Sequence, residues 1–181
     1  MIFTLGTTDI RAMRYDNFDA LEKELLECEA GSIFAGQKRG SENAWNMIAF
    51  TDPETGDYFG IGLLSSDAGE PHVLATDNGL LFIGADNFAI AFSIAEKQVR
   101  TLIPLQGDFA DFFYIPERRQ VIIVHKKGVV VKDEEGAELW RSSKGPINGY
   151  SLEKGMFVME LVSGETIGLK LKNGKQVPVK Q

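Results

Sequence analysis

Two stretches of the sequence decide the fold, because they read alike along their whole length. Residues 128–140 read GVVVKDEEGAELW and residues 166–177 read TIGLKLKNGKQV. Each is an apolar extended run, a polar turn that contains a glycine, and a second extended run, which is the pattern of a β-hairpin. The turn glycines Gly136 and Gly174 lie 38 residues apart.

Strands of a similar kind precede both hairpins. Residues 114–124, YIPERRQVIIV, and residues 150–159, YSLEKGMFVM, each contain an aromatic residue, a polar turn and a buried apolar run. A looser copy of the hairpin spans residues 87–99, about 40 residues earlier. No helical pattern interrupts these strands, so the sequence predicts antiparallel meanders. A period near 40 residues built from four strands is typical of β-propeller blades.

The segment from Val129 to Trp140 resembles the outer hairpin of pyrroloquinoline-quinone-type and WD-type propeller blades. Those blades run as an apolar strand, an aspartate, a turn glycine and then Leu-Trp. The resemblance covers residues 71–180, and in the other repeats Val99-Arg100 or Val177-Pro178 replaces the tryptophan. It implies a blade-like fold and says little about activity, since such folds host many unrelated functions.

One amphipathic helix is predicted near the start of the chain, over residues 17–29. Asp16 or Asn17 is expected to cap it and Gly31 to end it. Its apolar positions follow the i, i+3, i+4 spacing of a helix that lies on a core, at Phe18, Leu21, Leu25 and Cys28. The glycine-containing and basic stretch 31–41 is predicted to be a mobile loop, which serves either as a binding element or as a linker.

The predicted fold is therefore mainly β: a small or partial array of four-stranded blade-like meanders with one N-terminal helix. A β-sandwich with a flanking helix is the alternative. Residues 1–181 are expected to form a single domain, with the helix and four strands in residues 1–70 and the blade-like repeats in residues 71–181. Whether the blades close into a ring stays open at this point.

Composition narrows the class of partner and the compartment. The net charge is −7, the pI is about 4.9, and the basic clusters are two pairs at predicted turns, Arg118-Arg119 and Lys126-Lys127. This charge distribution argues against nucleic acid and against an anionic membrane as partners. A partner, if there is one, is expected to be neutral or basic. The single cysteine, the absence of a signal peptide and the absence of a long apolar run together predict a cytoplasmic protein.

No catalytic, metal or cofactor motif stands out in the sequence. His72 and His125 have no partner motif, and a hairpin turn is the simplest environment for His125. Cys28 lies between Glu27 and Glu29, which raise the pKa of a thiol, so it is interpreted as a small core residue. The acidic stretch 51–57 lacks the ligand spacing of an EF-hand calcium loop and is interpreted as a tight hairpin turn. The stretch 133–136 is interpreted as a hairpin turn with solvated charges. The sequence thus predicts no cofactor and no metal.

One segment, residues 107–114, combines four aromatic residues with two carboxylates and reads GDFADFFY. Its aromatic residues are interpreted as filling a core between sheets, with both aspartates facing water. The functional alternative is a binding rim for a basic protein, because aromatic residues dominate interface hot spots. The candidate binding residues are Asp108, Phe109, Asp111 and Phe112.

Three functions remain open at the level of sequence. The first is a non-catalytic protein-binding module, such as an inhibitor, an immunity-type protein or an adaptor. The second is a small hydrolase with a site built from loops around His72 or His125. The third is a self-assembling structural protein that associates through open strand edges, which includes homo-oligomers.

Overall fold

The computed structural model describes residues 2–5, 8–36, 44–52, 54–66, 71–153 and 155–179. The chain divides into two compact units, residues 1–103 and residues 104–181. The expected boundary between residues 70 and 71 falls inside the first unit, between its two sheets. No helix within the described ranges is long and apolar enough to cross a bilayer.

The first unit contains two sheets and the helix. Its five-stranded sheet has the order β1-β2-β4-β5-β3, and its four-stranded sheet has the order β6-β7-β8-β9. The elements are β1 Ile2–Leu5, β2 Thr8–Tyr15, α1 Phe18–Leu26, β3 Ser32–Gly36, β4 Ala44–Thr51, β5 Tyr58–Ser65, β6 His72–Ala75, β7 Leu80–Ala85, β8 Phe88–Ser93 and β9 Gln98–Pro104.

The helix begins where the sequence predicts and ends earlier. The side chain of Asn17 accepts a hydrogen bond from the Ala20 amide at 2.9 Å, which caps the first turn. The helix ends at Leu26, so Cys28 lies beyond it. Gly31 has a φ of +100° and belongs to the turn that follows, where its amide donates to the Cys28 carbonyl at 3.0 Å.

The prediction of a loop over residues 31–41 was wrong for its first half. Residues Ser32–Gly36 form β3, which pairs in parallel with β5. The pairing partner lies nearly thirty residues further along the chain, so long-range hydrogen bonds and not local propensity make this segment a strand. Residues 37–43 lie outside the described residues.

The two faces of the five-stranded sheet pack against different elements. On one face, Ile48, Phe50 and Phe59 join Ile83 and Phe92 of the other sheet in one buried core. The rings of Phe50 and Phe59 stack with their centroids 5.2 Å apart, and each lies 5.7 Å from Phe92. The removal of these apolar side chains from water is the main contribution to the stability of the first unit.

The other face of that sheet lies under α1. Leu21 and Leu25 are buried there against Met47, Ala49 and Leu64. Two glycines of β5 allow the close approach, since a Cβ at either position would lie under 3 Å from a Leu25 methyl carbon. These glycines are Gly60 and Gly62.

The second unit consists of two four-stranded antiparallel meanders with the orders β10-β11-β12-β13 and β14-β15-β16-β17. Their facing sides form one core that includes Ile122, Val131, Phe157 and Leu169. The strands are β10 Phe109–Ile115, β11 Gln120–His125, β12 Gly128–Asp133, β13 Glu138–Ser143, β14 Ile147–Glu153, β15 Met156–Leu161, β16 Thr166–Lys170 and β17 Gln176–Val177.

The predicted fold class is confirmed. The described residues are mainly β with one helix, and three of their four sheets are four-stranded blade-like meanders in sequence order. The five-stranded sheet departs from that order through β3, which pairs in parallel with β5 at its edge. The turn glycines Gly136 and Gly174 have φ values of +89° and +68°, in the left-handed region that favours glycine. In the first hairpin the Asp133 carboxylate accepts the amides of Glu135 and Ala137 at 3.0 and 2.7 Å, which explains the aspartate of the repeat.

Candidate binding site

The aromatic segment predicted as a binding rim forms the start of β10. A β-bulge between Phe109 and Asp111 inserts one residue, which brings Phe109 and Phe112 to the same side of the strand. Their ring centroids are 4.5 Å apart, and both side chains are partly buried. On the opposite side, Phe113 packs into the core between the two sheets of the second unit.

Both aspartates of this segment have partners within the chain. Asp108 is exposed and its carboxylate accepts a hydrogen bond from the Lys126 ammonium at 2.6 Å. Asp111 is partly buried, and its carboxylate accepts from the Tyr150 hydroxyl at 3.3 Å and from the Phe112 amide at 2.8 Å. The expectation that both aspartates face water therefore holds for Asp108 and not for Asp111.

The two histidines occupy different environments. His125 ends β11, is buried, and its Nδ1 accepts the Lys127 amide at 3.3 Å across the hairpin turn. Burial, with Arg141 and Lys127 nearby, lowers the pKa of His125 to about 4, so the ring is neutral near pH 7. His72 begins β6 and is exposed. The structure thus places His125 in the hairpin turn that the sequence predicts.

The acidic stretch 51–57 is a turn, as predicted, but its first carboxylate is not solvated. Asp52 is 2% exposed and forms an ion pair with Lys97. Its carboxylate also accepts the Glu54 amide at 2.7 Å. The Lys97 hydrogen bond is the main cause that holds the pKa of Asp52 below its usual value.

The acidic stretch 133–136 contains a second exception. Glu134 is buried, forms an ion pair with Arg119 and accepts the Tyr114 hydroxyl at 3.1 Å. The prediction that its charges are solvated was wrong for this residue. Its partner lies in the turn before β11, where Arg119 has a φ of +52°, and spacing in sequence gives no hint of the pair.

Negative charge concentrates in one surface that the sequence analysis did not single out. Residues 16–29 contain six carboxylates and one lysine, a net charge of −5 out of −7 for the whole chain. This stretch includes all of α1, and every one of those carboxylates is exposed. This concentration of negative charge becomes visible when charge is counted by segment and not over the whole chain.

Exposed apolar side chains lie beside this charge. Leu26, at the end of α1, is 81% exposed. Phe34 of β3 is 48% exposed, and its ring stacks on that of Phe18 with centroids 5.6 Å apart. We call residues 16–29 together with Phe34 the acidic helix surface.

A cavity of about 230 Å³ opens on another side of α1. It is bordered by α1 and the turn after it and by strands β2, β4 and β5. Its lining residues are Arg11, Met13, Glu24, Glu27, Cys28, Met47, Ala49 and Tyr58. Burial and the two glutamates raise the pKa of the Cys28 thiol, so the residue is a thiol and not a nucleophilic thiolate near pH 7.

No group of three histidine, cysteine, aspartate or glutamate side chains could hold a metal ion in the part of the chain that the structure describes. The sequence-predicted segment and the acidic helix surface belong to different units. The chain thus presents one exposed acidic helix with apolar neighbours and one cavity beside it. These two features carry the functional argument.

Comparisons with known proteins agree with the architecture. No protein-family model and no curated protein matches the sequence. Among solved structures, HIRA matches with a TM-score of 0.50 and 10% identity, over 94% of this chain and 48% of that chain. The dihydro-heme d1 dehydrogenase NirN in complex with DHE matches with a TM-score of 0.50 and 11% identity, over 75% and 34%.

The computationally designed Ika8 protein matches with a TM-score of 0.48 and 14% identity, over 78% of this chain and 46% of that one. The chain spans about half or less of the length of these three structures. At such identities the likeness to HIRA and NirN shows the fold alone, which is propeller-like.

Proposed function

We propose that the chain is a non-catalytic protein-binding module, of the adaptor or inhibitor type, with a basic protein as its partner. The observation that carries this proposal is the acidic helix surface, where residues 16–29 hold a net charge of −5 beside the exposed Leu26. Blade-like scaffolds with propeller-like relatives are consistent with a binding role.

Charge and apolar area on this surface have different roles. The carboxylates attract a basic partner over a distance of the order of the Debye length and raise the association rate. They contribute less to the lifetime of the complex, because exposed ion pairs are weak. The lifetime comes from apolar side chains that lose water on contact, here Leu26 and the stacked pair Phe18–Phe34. A partner segment with apolar side chains between its lysines and arginines would match both the carboxylates and the exposed apolar side chains of this surface.

The segment with Asp108, Phe109, Asp111 and Phe112 stays a second proposed contact. Its carboxylates already bond to Lys126 and Tyr150, so a partner would have to displace those bonds. Among the described residues, the carboxylates of the acidic helix surface form no ion pair that a partner would have to displace, so this surface is the preferred site.

The test is a titration of the purified protein with a defined basic probe. The probe is a fluorescent amphipathic peptide of leucine and lysine, and its counterpart of leucine and glutamate is the negative probe. We expect the basic peptide to bind, and binding to weaken as salt is raised. The variant Glu22→Gln/Glu29→Gln/Leu26→Ser should lose most of the affinity, since it removes two charges and the most exposed apolar side chain of the surface.

A matched control separates this surface from net charge. Glu117→Gln/Glu165→Gln/Val162→Ser changes the same number of charges and an exposed apolar residue in the second unit, where Val162 is 67% exposed. This control should bind as the wild type does. Equal losses in both variants would contradict the assignment to α1, and a loss confined to Asp108→Asn would move the site to β10. A partner captured from lysate must show the same dependence on variants.

A further inference from the structure

The cavity beside α1 contains charges of both signs that do not neutralise each other. Arg11 borders it from β2, and Glu24 and Glu27 border it from α1 and the residue after it. Among the described residues, none of the three forms an ion pair. Within the described ranges, the cavity therefore holds a guanidinium and two carboxylates without ion-pair partners, and each suits a ligand group of opposite charge.

The guanidinium of Arg11 is held in place and is incompletely bonded. It lies over the ring of Tyr58, 5.0 Å from the ring centroid, which is a cation–π contact. Its Nε is buried and has no hydrogen-bond partner in the described part of the chain. A buried donor without an acceptor is costly. Arg11 also lines the cavity, so its guanidinium is the group from which an oxygen of a ligand there would accept a hydrogen bond.

The floor of the cavity is apolar and adaptable. Met13 and Met47 face each other across β2 and β4, and the Tyr15 hydroxyl donates to their sulfur atoms at 3.9 and 3.8 Å. Ala49 completes the floor. Methionine side chains adapt to apolar groups of different shape. This part of the cavity suits an aliphatic side chain.

We propose that this cavity binds an α-ammonium group, its neighbouring carboxylate or carbonyl oxygen, and an aliphatic side chain. The ammonium lies against Glu24 and Glu27, the oxygen accepts from Arg11, and the side chain rests on the methionine floor. A free amino acid such as leucine carries this chemistry, and so does the N-terminal residue of a polypeptide.

The size of the cavity agrees with a single residue. Its volume of about 230 Å³ equals that of roughly eight water molecules, and it is smaller than the ~300–1,000 Å³ of pockets for drug-sized ligands. The cavity shares Glu24, Glu27 and Cys28 with the acidic helix surface. The residues that the peptide test changes lie outside its lining: Glu22, Leu26 and Glu29. Glu24 and Leu26 are two residues apart on α1, so they point in nearly opposite directions, about 160° apart around the helix.

The experiment is isothermal titration calorimetry of the purified protein with four small probes. L-leucine has both charges, L-leucinamide lacks the carboxylate, N-acetyl-L-leucine lacks the ammonium, and isocaproate lacks the amino group altogether. We expect leucine or leucinamide to bind and the other two to bind about tenfold or more weakly. Tighter binding of leucine indicates a free amino acid. Equal or tighter binding of leucinamide indicates a polypeptide N-terminus.

Variants then test each charge. Glu24→Gln/Glu27→Gln should weaken the better probe about tenfold or more, and Arg11→Gln should also weaken it, because the carboxylate or carbonyl oxygen of the probe loses its charged donor. Glu54→Gln, at an exposed position in the same unit and outside the cavity lining, is the matched control and should bind as the wild type does. Thermal unfolding verifies that each variant is folded.

Two results would overturn this proposal: no binding of either ammonium probe to the folded wild type, or equal binding of N-acetyl-L-leucine. Neither result depends on the basic peptide of the previous test. The two proposals therefore stand or fall independently.

Discussion

The indole ring of Trp140 lies directly on the turn glycine Gly174. A Cβ on Gly174 would be 2.6 Å from the Cε3 atom of that ring, closer than real side chains allow. The Nε1 of the same indole donates to the Leu171 carbonyl at 2.8 Å. The tryptophan of one hairpin thus packs on the turn of the next hairpin. This contact explains why a tryptophan stands at position 140 and a glycine at position 174.

Replacing Gly174 by alanine should destabilise the second unit strongly. The substitution meets two costs: a left-handed φ of +68° and the clash with the indole ring. The first is on the order of 1 kcal/mol, and overpacking adds about 1–3 kcal/mol. Urea unfolding followed by tryptophan fluorescence measures the sum.

Gly164 provides the control for that substitution. Its φ is +87°, and nothing lies within 4 Å of the position of a Cβ. Gly164→Ala should therefore lower the free energy of unfolding only by the cost of a left-handed backbone conformation. If the two alanine variants lose the same free energy of unfolding, the contact with Trp140 contributes nothing.

The repeat pattern predicted the sheets because each strand and turn is encoded locally. Apolar runs, turn aspartates and turn glycines recur along the chain, and α1 shows its own spacing of apolar residues. What the sequence did not predict depends on distant partners. β3 is a strand because β5 pairs with it, and Glu134 is buried because Arg119 and Tyr114 reach it from outside its hairpin.

The candidate sites divide in the same way. The charge of residues 16–29 is visible in the sequence, once charge is counted by segment. The cavity is not, because its lining comes from three strands, α1 and the turn after the helix. No spacing in the sequence brings Arg11 and Tyr58 together.

His125 should make the protein less stable in mild acid. Its folded pKa is about 4, below the value of 6.5 for an unperturbed histidine, because burial disfavours the charged ring. Between pH 6.5 and 4 the unfolded chain binds a proton at His125 and the folded chain does not. The free energy of unfolding is therefore unaffected by this proton above about pH 6.5 and decreases as the pH falls towards 4. The loss is on the order of 3 kcal/mol.

Thermal unfolding across this pH range tests the effect. His125→Asn keeps an acceptor for the Lys127 amide and should flatten the decline between pH 6.5 and 4. His72→Asn, at an exposed position, is the control and should keep the decline of the wild type. An unchanged slope in His125→Asn would assign the decline to other groups.

The ion pair of Asp52 with Lys97 should stabilise the first unit at neutral pH. The folded pKa of Asp52 lies below its usual value, chiefly through the hydrogen bond from Lys97. The charged Asp52 therefore adds to the free energy of unfolding above the pKa of an unfolded aspartate, about 3.9. This stabilisation is lost as the pH falls through the pKa of Asp52 in the folded protein.

Asp52→Asn preserves an oxygen for the amides of Glu54 and Thr55 and removes only the charge. It should lower the melting temperature near pH 7 and have a smaller effect at acid pH. A double-mutant cycle with Lys97→Gln isolates the pair. Additive losses in the cycle would mean that the pair contributes no coupling energy.

The burial of Leu21 and the exposure of Leu26 predict opposite results for two leucines of one helix. Leu21→Ala removes a fully buried side chain over the sheet and should cost about 2–5 kcal/mol of unfolding free energy. Leu26→Ala removes a side chain that is 81% exposed and should change stability by about 0.5 kcal/mol or less. Chemical unfolding of both variants compares them directly, and equal losses would contradict the position of α1.

Strands β2 and β4 are neighbours in the sheet, and Tyr15 pairs directly with Trp45. A tight turn would suffice to join them, yet α1 and β3 intervene. The intervening segment contains the helix that covers the sheet, the net charge of −5 of residues 16–29 and one wall of the cavity beside α1. The segment with α1 and β3 is therefore an insertion between two neighbouring strands of a blade-like sheet. A change of sequence confined to this segment would alter the charge and the cavity of the first unit and leave the spacing of the blade-like repeats unchanged.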